Sequence, residues 1–404
     1  MQKLLLAMIV AVVVLGFIVL RSPGTEGTSA PQRAAASVTA RDGVLDAGSG
    51  YVVALDIEGR VFGWGGYDSN EGAKLIAGGK RPRLLLAGSG YRRVAAGTRA
   101  VYAIDVEGTL RRAALADISA SDGTVVPLPI HTAKRWRIAR ETWAIGAGID
   151  RDGALWWWDD DAVADAPNRS VPDPNAQPQS LMPGVRFVDA CLQGPRLHAI
   201  DEEGRAWRSA DLLRRGSSTR PLQGGDGALV RLEADVPLAK LACRENASHV
   251  LALARDGSIW GYGPNSFGEL GVGAEDMHPD RAVYDATRLV RIADGPFVAI
   301  AVAPQVSFAI AGDGALWGWG RNLDSELGLG NSESVDGPQL VDQSPPRLAV
   351  TATYGTGIAL DDTGRLQSWG SNGYGALGDG GDVLLALIIN DLEQRLLIER
   401  AAAL

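Results

Sequence analysis

Residues Val250-Leu251-Ala252-Leu253-Ala254-Arg255-Asp256-Gly257-Ser258-Ile259-Trp260-Gly261-Tyr262 set an apolar run against an aromatic one across an acidic-glycine turn. Glycine accepts the positive φ that a tight turn demands, so the stretch reads as a β-hairpin. The plan recurs at Glu58-Gly59, Glu107-Gly108, Asp152-Gly153, Glu203-Gly204, Asp313-Gly314 and, degenerate, Thr363-Gly364. Successive turn glycines lie 49, 45, 51, 53, 57 and 50 residues apart. Self-similarity at a nearly fixed period marks one supersecondary unit, repeated, whose faces are buried only against neighbouring copies.

Aligned on the turn glycine, the second following residue is Val61, Leu110, Leu155, Ala206, Ile259, Leu316 and Leu366. The third is Phe62, Arg111, Trp156, Trp207, Trp260, Trp317 and Gln367, and the fifth is Trp64, Ala113, Trp158, Ser209, Tyr262, Trp319 and Trp369. The third and fifth positions share one face of a strand and the second lies on the other. A strand that is apolar on both faces is buried on both, as in a radial array where every sheet is sandwiched between two others. The expected fold class is all-β, a seven-bladed β-propeller of about 51-residue repeats.

The later units extend the hairpin. Unit five continues Trp260-Gly-Tyr-Gly-Pro-Asn-Ser-Phe-Gly-Glu-Leu-Gly271, unit six reads Trp317-Gly-Trp-Gly-Arg-Asn-Leu-Asp-Ser-Glu-Leu-Gly328, and unit seven ends Trp369-Gly-Ser-Asn-Gly-Tyr-Gly-Ala-Leu-Gly378. This pattern resembles the repeat of the regulator of chromosome condensation family, and its registers cover about residues 42–380. The resemblance implies a seven-bladed propeller of four-stranded blades. The family's founding member is a nuclear exchange factor for a small GTPase, and some bacterial secreted members clamp partner proteins. Units two to four depart from the pattern by losing the tail, showing Arg111-Arg112-Ala113, Trp156-Trp157-Trp158-Asp159 and Trp207-Arg208-Ser209 instead.

Outside the ring, residues 1–21 hold an uncharged apolar run, Leu4 to Leu20, which reads as a transmembrane signal anchor or signal peptide. The poor cleavage site at Ser22-Pro23-Gly24 favours an uncleaved anchor. Residues 22–41 read as a flexible linker, 42–381 as the propeller, and 382–404, Leu-rich, as a closing strand or helix. The formal charge of −9 and pI near 5.1, without a basic stripe, argue against nucleic-acid binding. They also argue, together with the apolar run, against carrying over the exchange activity. Cys191 and Cys243 could pair in an exported protein, but two small buried thiols are the preferred reading, because a bridge needs Cα atoms about 5–6 Å apart and that is tight for neighbouring units.

Chemistry is sparse. There is no P-loop, G-x-S-x-G, H-x-x-x-H or dinucleotide fingerprint, and no cofactor, metal or catalytic residue is expected. His198 and His249 fall where the family carries a structural histidine, while His131 and His278 lie in loops. The run Trp156-Trp157-Trp158-Asp159-Asp160-Asp161 is the loudest local signal, with Trp157, Arg112 and Arg208 all standing where other units have glycine. Partner-binding candidates are therefore Arg112, Trp157, Asp159, Asp160, Asp161 and Arg208, beside the long loop 159–183. The expected function is a membrane-tethered, extracytoplasmic (periplasmic or surface) scaffold that binds a protein partner. A glycan- or cell-wall-binding module, a propeller enzyme and a small-GTPase exchange factor are alternatives. The glycan reading requires Trp157 or its neighbours to be exposed beside the carboxylates.

Overall fold

A computed structural model describes residues 39–66, 80–121, 123–142, 145–160, 177–212, 229–273 and 288–378. The apolar run 4–20 and the stretch 382–404 lie outside them. Among the described residues, no helix is long and apolar enough to cross a membrane.

Seven antiparallel sheets follow one another along the chain, each built from consecutive strands. Blade 1 consists of β1 (Leu45–Ala47), β2 (Tyr51–Leu55), β3 (Val61–Gly65) and β4 (Arg83–Leu84), and blades 2 to 6 repeat this order with four strands each. Blade 7 shows three among the described residues, ending at Leu366–Gly370. The fold is thus the seven-bladed, all-β propeller that the repeat predicts.

The core is divided into seven wedges, one at each blade junction. Tyr51, Val53, Leu85, Val94 and Ala113 fill the wedge between blades 1 and 2, and Leu45, Ala54, Trp64, Ile358 and Leu366 fill the one between blades 7 and 1. All five residues of β2 are buried, as a strand sandwiched on both faces requires. The acidic-glycine turn holds the blades together as well as reversing the chain. Gly257, at φ 84°, passes its carbonyl to Phe297 N–H of the next blade at 3.0 Å. Five other turns make the equivalent bond, for example Gly108 O with Trp136 N–H at 2.7 Å. A Cβ on Gly59 would sit 2.5 Å from Tyr91 O, so the turn needs glycine for approach as well as for φ.

The seam between blades 7 and 1 is closed differently. Trp64 Nε1–H donates to Ala376 O at 2.8 Å, Gly66 N–H to Tyr374 O at 2.8 Å, and Arg41 N–H to Leu348 O at 2.9 Å. The first two acceptors belong to the tail of unit seven. The tails of units five and six also reach the next blade, where Ser307 Oγ donates to Glu269 O and Trp369 Nε1–H to Glu326 O, both at 2.8 Å. Asn265 and Asn322 Oδ1 brace the tails by accepting N–H groups of Leu270 and Leu327, both at 2.9 Å.

The structure corrects one sequence expectation. Cys191 and Cys243 are bridged, with Cα atoms 5.8 Å apart, and are not free thiols. They sit at the inner strands of blades 4 and 5, where the ring converges on its axis and adjacent backbones come within bridging range.

Candidate functional site

Blades 2 to 4 lack the tail, and side chains take its place. The strand Leu110–Ala114 of blade 2 runs directly into a six-residue helix, α1 (Leu115–Ala120), whose Leu115 and Ile118 pack into the wedge against blade 1. Between blades 2 and 3 the WWWDD run forms a polar chain. Trp158 Nε1–H donates to Tyr102 Oη at 3.1 Å, Tyr102 donates to Asp160 Oδ1, and Arg112 forks onto Asp160 through Nε (3.0 Å) and Nη2 (2.7 Å). Asp160 is fully buried and Arg112 nearly so. Burial and then the Asp160 charge hold the Tyr102 phenol well above its ordinary range. His131 stacks edgewise on Trp158, and burial lowers its pKa to about 4.

Arg112 and Asp160 form this buried ion pair. Trp157, only 2% exposed, fills the wedge between blades 3 and 4, so the exposure that the glycan reading requires of it is not met. Trp156 is half-buried, with the Lys134 ammonium over its ring and its Nε1–H on Asp150 at 2.7 Å. Asp159 is half-buried at the end of its strand. Arg208 lies beside His198 and Tyr262 at the blade 4–5 junction. Asp161 and most of the loop 159–183 lie outside the described residues, as does His278. His198 and His249 are hydrogen-bonded core residues: Tyr262 Oη meets His198 Nδ1 at 3.1 Å, and Ser307 Oγ meets His249 Nε2 at 2.7 Å.

Sequence reasoning missed the axial channel. The first strands of all seven blades line a cavity of about 290 Å³ with an unusual density of charge. Blade 5 joins its first two strands through seven residues, 243–249, where the others use two or three. That loop spans one mouth. Arg244 donates to Val302 O (3.1 Å) and Thr351 Oγ1 (3.0 Å) and pairs with Asp46 (3.4 Å), Glu245 accepts from Thr98, and Asn246 donates to Ser49 Oγ at 2.8 Å. The Cys191–Cys243 bridge ties its base to blade 4. Beneath it, burial and then the charge of Asp160 push Glu141 up to about 8. The other mouth reaches solvent at the Lys240–Asp42 pair, 2.9 Å apart, where the Asp42 side chain is 45% exposed.

The ring's loop face carries exposed apolar side chains. The connection between first and second strands in every blade, and that between third and fourth in blades 1 to 6, emerge at the same edge, because strands one and three are parallel. On that face stand Phe267 in the tail of blade 5, Leu323 in the tail of blade 6 and Tyr354 in the first turn of blade 7, exposed by 36%, 59% and 53%. Both tails are held from beneath by Asn265 and Asn322. Among the described residues, no group of His, Cys, Asp and Glu stands ready to hold a metal ion.

A family model, the regulator of chromosome condensation (RCC1) repeat, matches residues 313–358. The chain is 31% identical over 153 residues to human E3 ubiquitin-protein ligase HERC2, covering 36% of this chain. It is 28% identical over 165 residues to rat probable E3 ubiquitin-protein ligase HERC4. It spans only 3% and 15% of those proteins. Yeast RCC1 (Prp20), solved bound to Kap60, superposes with a TM-score of 0.62 at 17% identity, over 93% of this chain and 91% of that one. Human WBSCR16 superposes with a TM-score of 0.56 at 13% identity, over 75% and 82%.

Proposed function

Since the chain is a seven-bladed propeller of regulator of chromosome condensation repeats, we propose that it is a rigid protein-binding scaffold whose contact surface is the loop face of blades 5 to 7. The observation that carries this is the row Phe267, Leu323 and Tyr354, apolar side chains left in water on loops already fixed by internal hydrogen bonds. Exposed aromatic and aliphatic anchors on a preorganised surface lose little entropy on docking, which is how a few residues supply most of an interface's affinity. The structural relatives support a protein partner: yeast RCC1 was solved with Kap60, and another study of Prp20p describes its binding to Gsp1p and histones.

The scaffold is tethered to a membrane and faces an extracytoplasmic space. Two observations support this placement, the apolar run 4–20 and the Cys191–Cys243 bridge, since disulfides persist in oxidising compartments. Protease protection of the full chain in sealed native membranes tests the topology, and cleavage of the propeller from the cytoplasmic side would overturn it.

The binding surface is tested by crosslinked affinity capture with the full-length chain, beside a Phe267→Ala/Leu323→Ala/Tyr354→Ala variant and a deletion of 161–176. A protein enriched by the wild type and the deletion but lost with the triple variant supports the proposal. Enrichment lost only with the deletion moves the surface to the sector holding Asp159 to Asp161. No enrichment with any bait overturns the scaffold reading.

A further inference from the structure

Every carboxylate lining the axial channel already has a partner. Asp42 pairs with Lys240 at 2.9 Å. Asp46 takes Arg244 at 3.4 Å and the backbone N–H groups of Ala47 and Ala96 at 2.8 and 3.1 Å. Asp189 accepts Leu241 N–H at 2.7 Å. Burial raises the Asp189 carboxyl, opposed by the Leu241 N–H bond and by the charge of Arg140.

Four guanidinium groups lining the same cavity are left over, Arg41 ahead of blade 1, Arg93 of blade 2 and Arg137 and Arg140 of blade 3. Among the described residues none of them forms an ion pair, and Arg93 makes no hydrogen bond. Arg137 Nη2 reaches only Phe187 O, at 2.5 Å, and Arg140 Nη1 only Ala139 O, at 3.1 Å. Arg137 Nε is buried with no acceptor. Burial lowers the Arg93 pKa and the charges of Arg140 and Arg137 lower it further, while Asp42 and Asp189 oppose that shift without reversing it. Half-buried cations in excess of the nearby counter-charges are costly unless something neutralises them. In a protein of net charge −9, the lining sets six cations, Arg41, Arg93, Arg137, Arg140, Lys240 and Arg244, against three carboxylates, Asp42, Asp46 and Asp189, an excess of positive charge that suits an anion.

We infer that the channel binds a compact multivalent oxyanion of the phosphate or diphosphate type, held by Arg93, Arg137 and Arg140. Planar guanidinium forks match the geometry of phosphate oxygens and hold them with paired N–H bonds. A volume of about 290 Å³ accommodates such an ion, and excludes a folded protein segment. Entry is by the Asp42–Lys240 mouth, since the loop 243–249 spans the other.

The test is calorimetric titration of inorganic phosphate and of diphosphate into the full-length chain, at constant ionic strength so that screening does not vary. The expected result is saturable binding of one anion per chain, weakened about tenfold or more by Arg93→Gln and by Arg140→Gln, with partial recovery in Arg93→Lys. Arg135→Gln, outside the channel with its Nη1 on Thr132 O and Lys134 O, leaves the affinity unchanged. Absence of saturable binding by the wild type, or equal loss in the Arg135→Gln control, overturns the proposal. The wild-type titration decides even where a channel variant fails to fold.

Discussion

Removing the Asp160 carboxylate tests whether the tail-less sector is held by its polar chain. Asp160→Ala leaves Arg112 a nearly buried cation without its partner and deprives Tyr102 Oη of its acceptor. Deleting one member of a buried ion pair costs about 3–5 kcal/mol, because the survivor stays desolvated and uncompensated. The ring between residues 39 and 378 is roughly 340 residues, so its unfolding entropy is about 0.7 kcal/mol/K at the usual per-residue value. If the ring melts as one unit, the melting temperature falls by about 4–7 °C. The assay is a scan-rate-independent thermal melt of the full chain, followed by tryptophan fluorescence. Asp160→Ala/Arg112→Met removes the orphaned charge and regains about half of the loss, with Tyr102 still short of an acceptor. A single-variant shift below about 1 °C, or a double variant melting below the single, would refute the assignment of cohesion to this pair.

Other consequences can be checked alongside. Gly257→Ala places a Cβ 2.9 Å from Pro296 Cα at φ 84°, whereas Gly273→Ala, at φ 91°, meets nothing within 4 Å. Thermal melts are expected to show the first losing clearly more than the backbone cost of about 1–2 kcal/mol that both share. Burial holds His249 to about 3, below the ordinary 6.5, so only the unfolded chain gains that proton as pH falls from 6.5. Stability should drop on acidification by up to about 1.4 kcal/mol per pH unit, and His249→Asn should flatten this limb in midpoints measured against pH. Glu141 has the opposite sign: its carboxyl is held up to about 8 against an ordinary 4.5, so stability is lost as pH rises between them, and Glu141→Gln should remove that loss. Non-reducing peptide mapping should recover Cys191 and Cys243 in one linked fragment; two alkylatable thiols would contradict the bridge.

The fold was legible because its signal is repeated. Seven glycines in register, all at positive φ in the structure, outvote any single ambiguous strand. Even so, part of the turn chemistry was hidden. In five units an aspartate three residues before the glycine caps the turn, as when Asp361 Oδ1 accepts N–H groups of Thr363 and Arg365, both at 2.9 Å. The acidic residue next to the glycine is the more conspicuous in the sequence, and it is not the one that caps the turn in these units. The channel was not legible at all. Arg93, Arg137 and Arg140 lie scattered along two inner strands, and only closure of the ring gathers them round one axis. The Cys191–Cys243 bridge was missed for the same reason, since repeat spacing does not tell how closely inner strands converge.

The departures of blades 2 to 4 looked like specialisation for a partner, and the contacts give them a cohesive role. Where unit six stitches its neighbour with Glu326 O on Trp369, blades 2 and 3 use Trp158, Tyr102, Asp160 and Arg112. Blade 2 has no tail carbonyl to play the part of Glu326 O, and between blades 2 and 3 the polar chain supplies the acceptor for the Trp158 N–H instead. The retained tails, by contrast, divide their residues between two duties. In blade 5 the loop turns Leu270 inward to the wedge against blade 6 and Phe267 outward to solvent. Leu270→Ala should therefore lower the melting temperature, at a cost of about 2–5 kcal/mol for a buried leucine. Phe267→Ala should leave the melt within about 0.5 kcal/mol of wild type while weakening partner capture. If Phe267→Ala destabilises the ring as much as Leu270→Ala does, the tail tip belongs to the core, and the loop face loses its claim to be the binding surface.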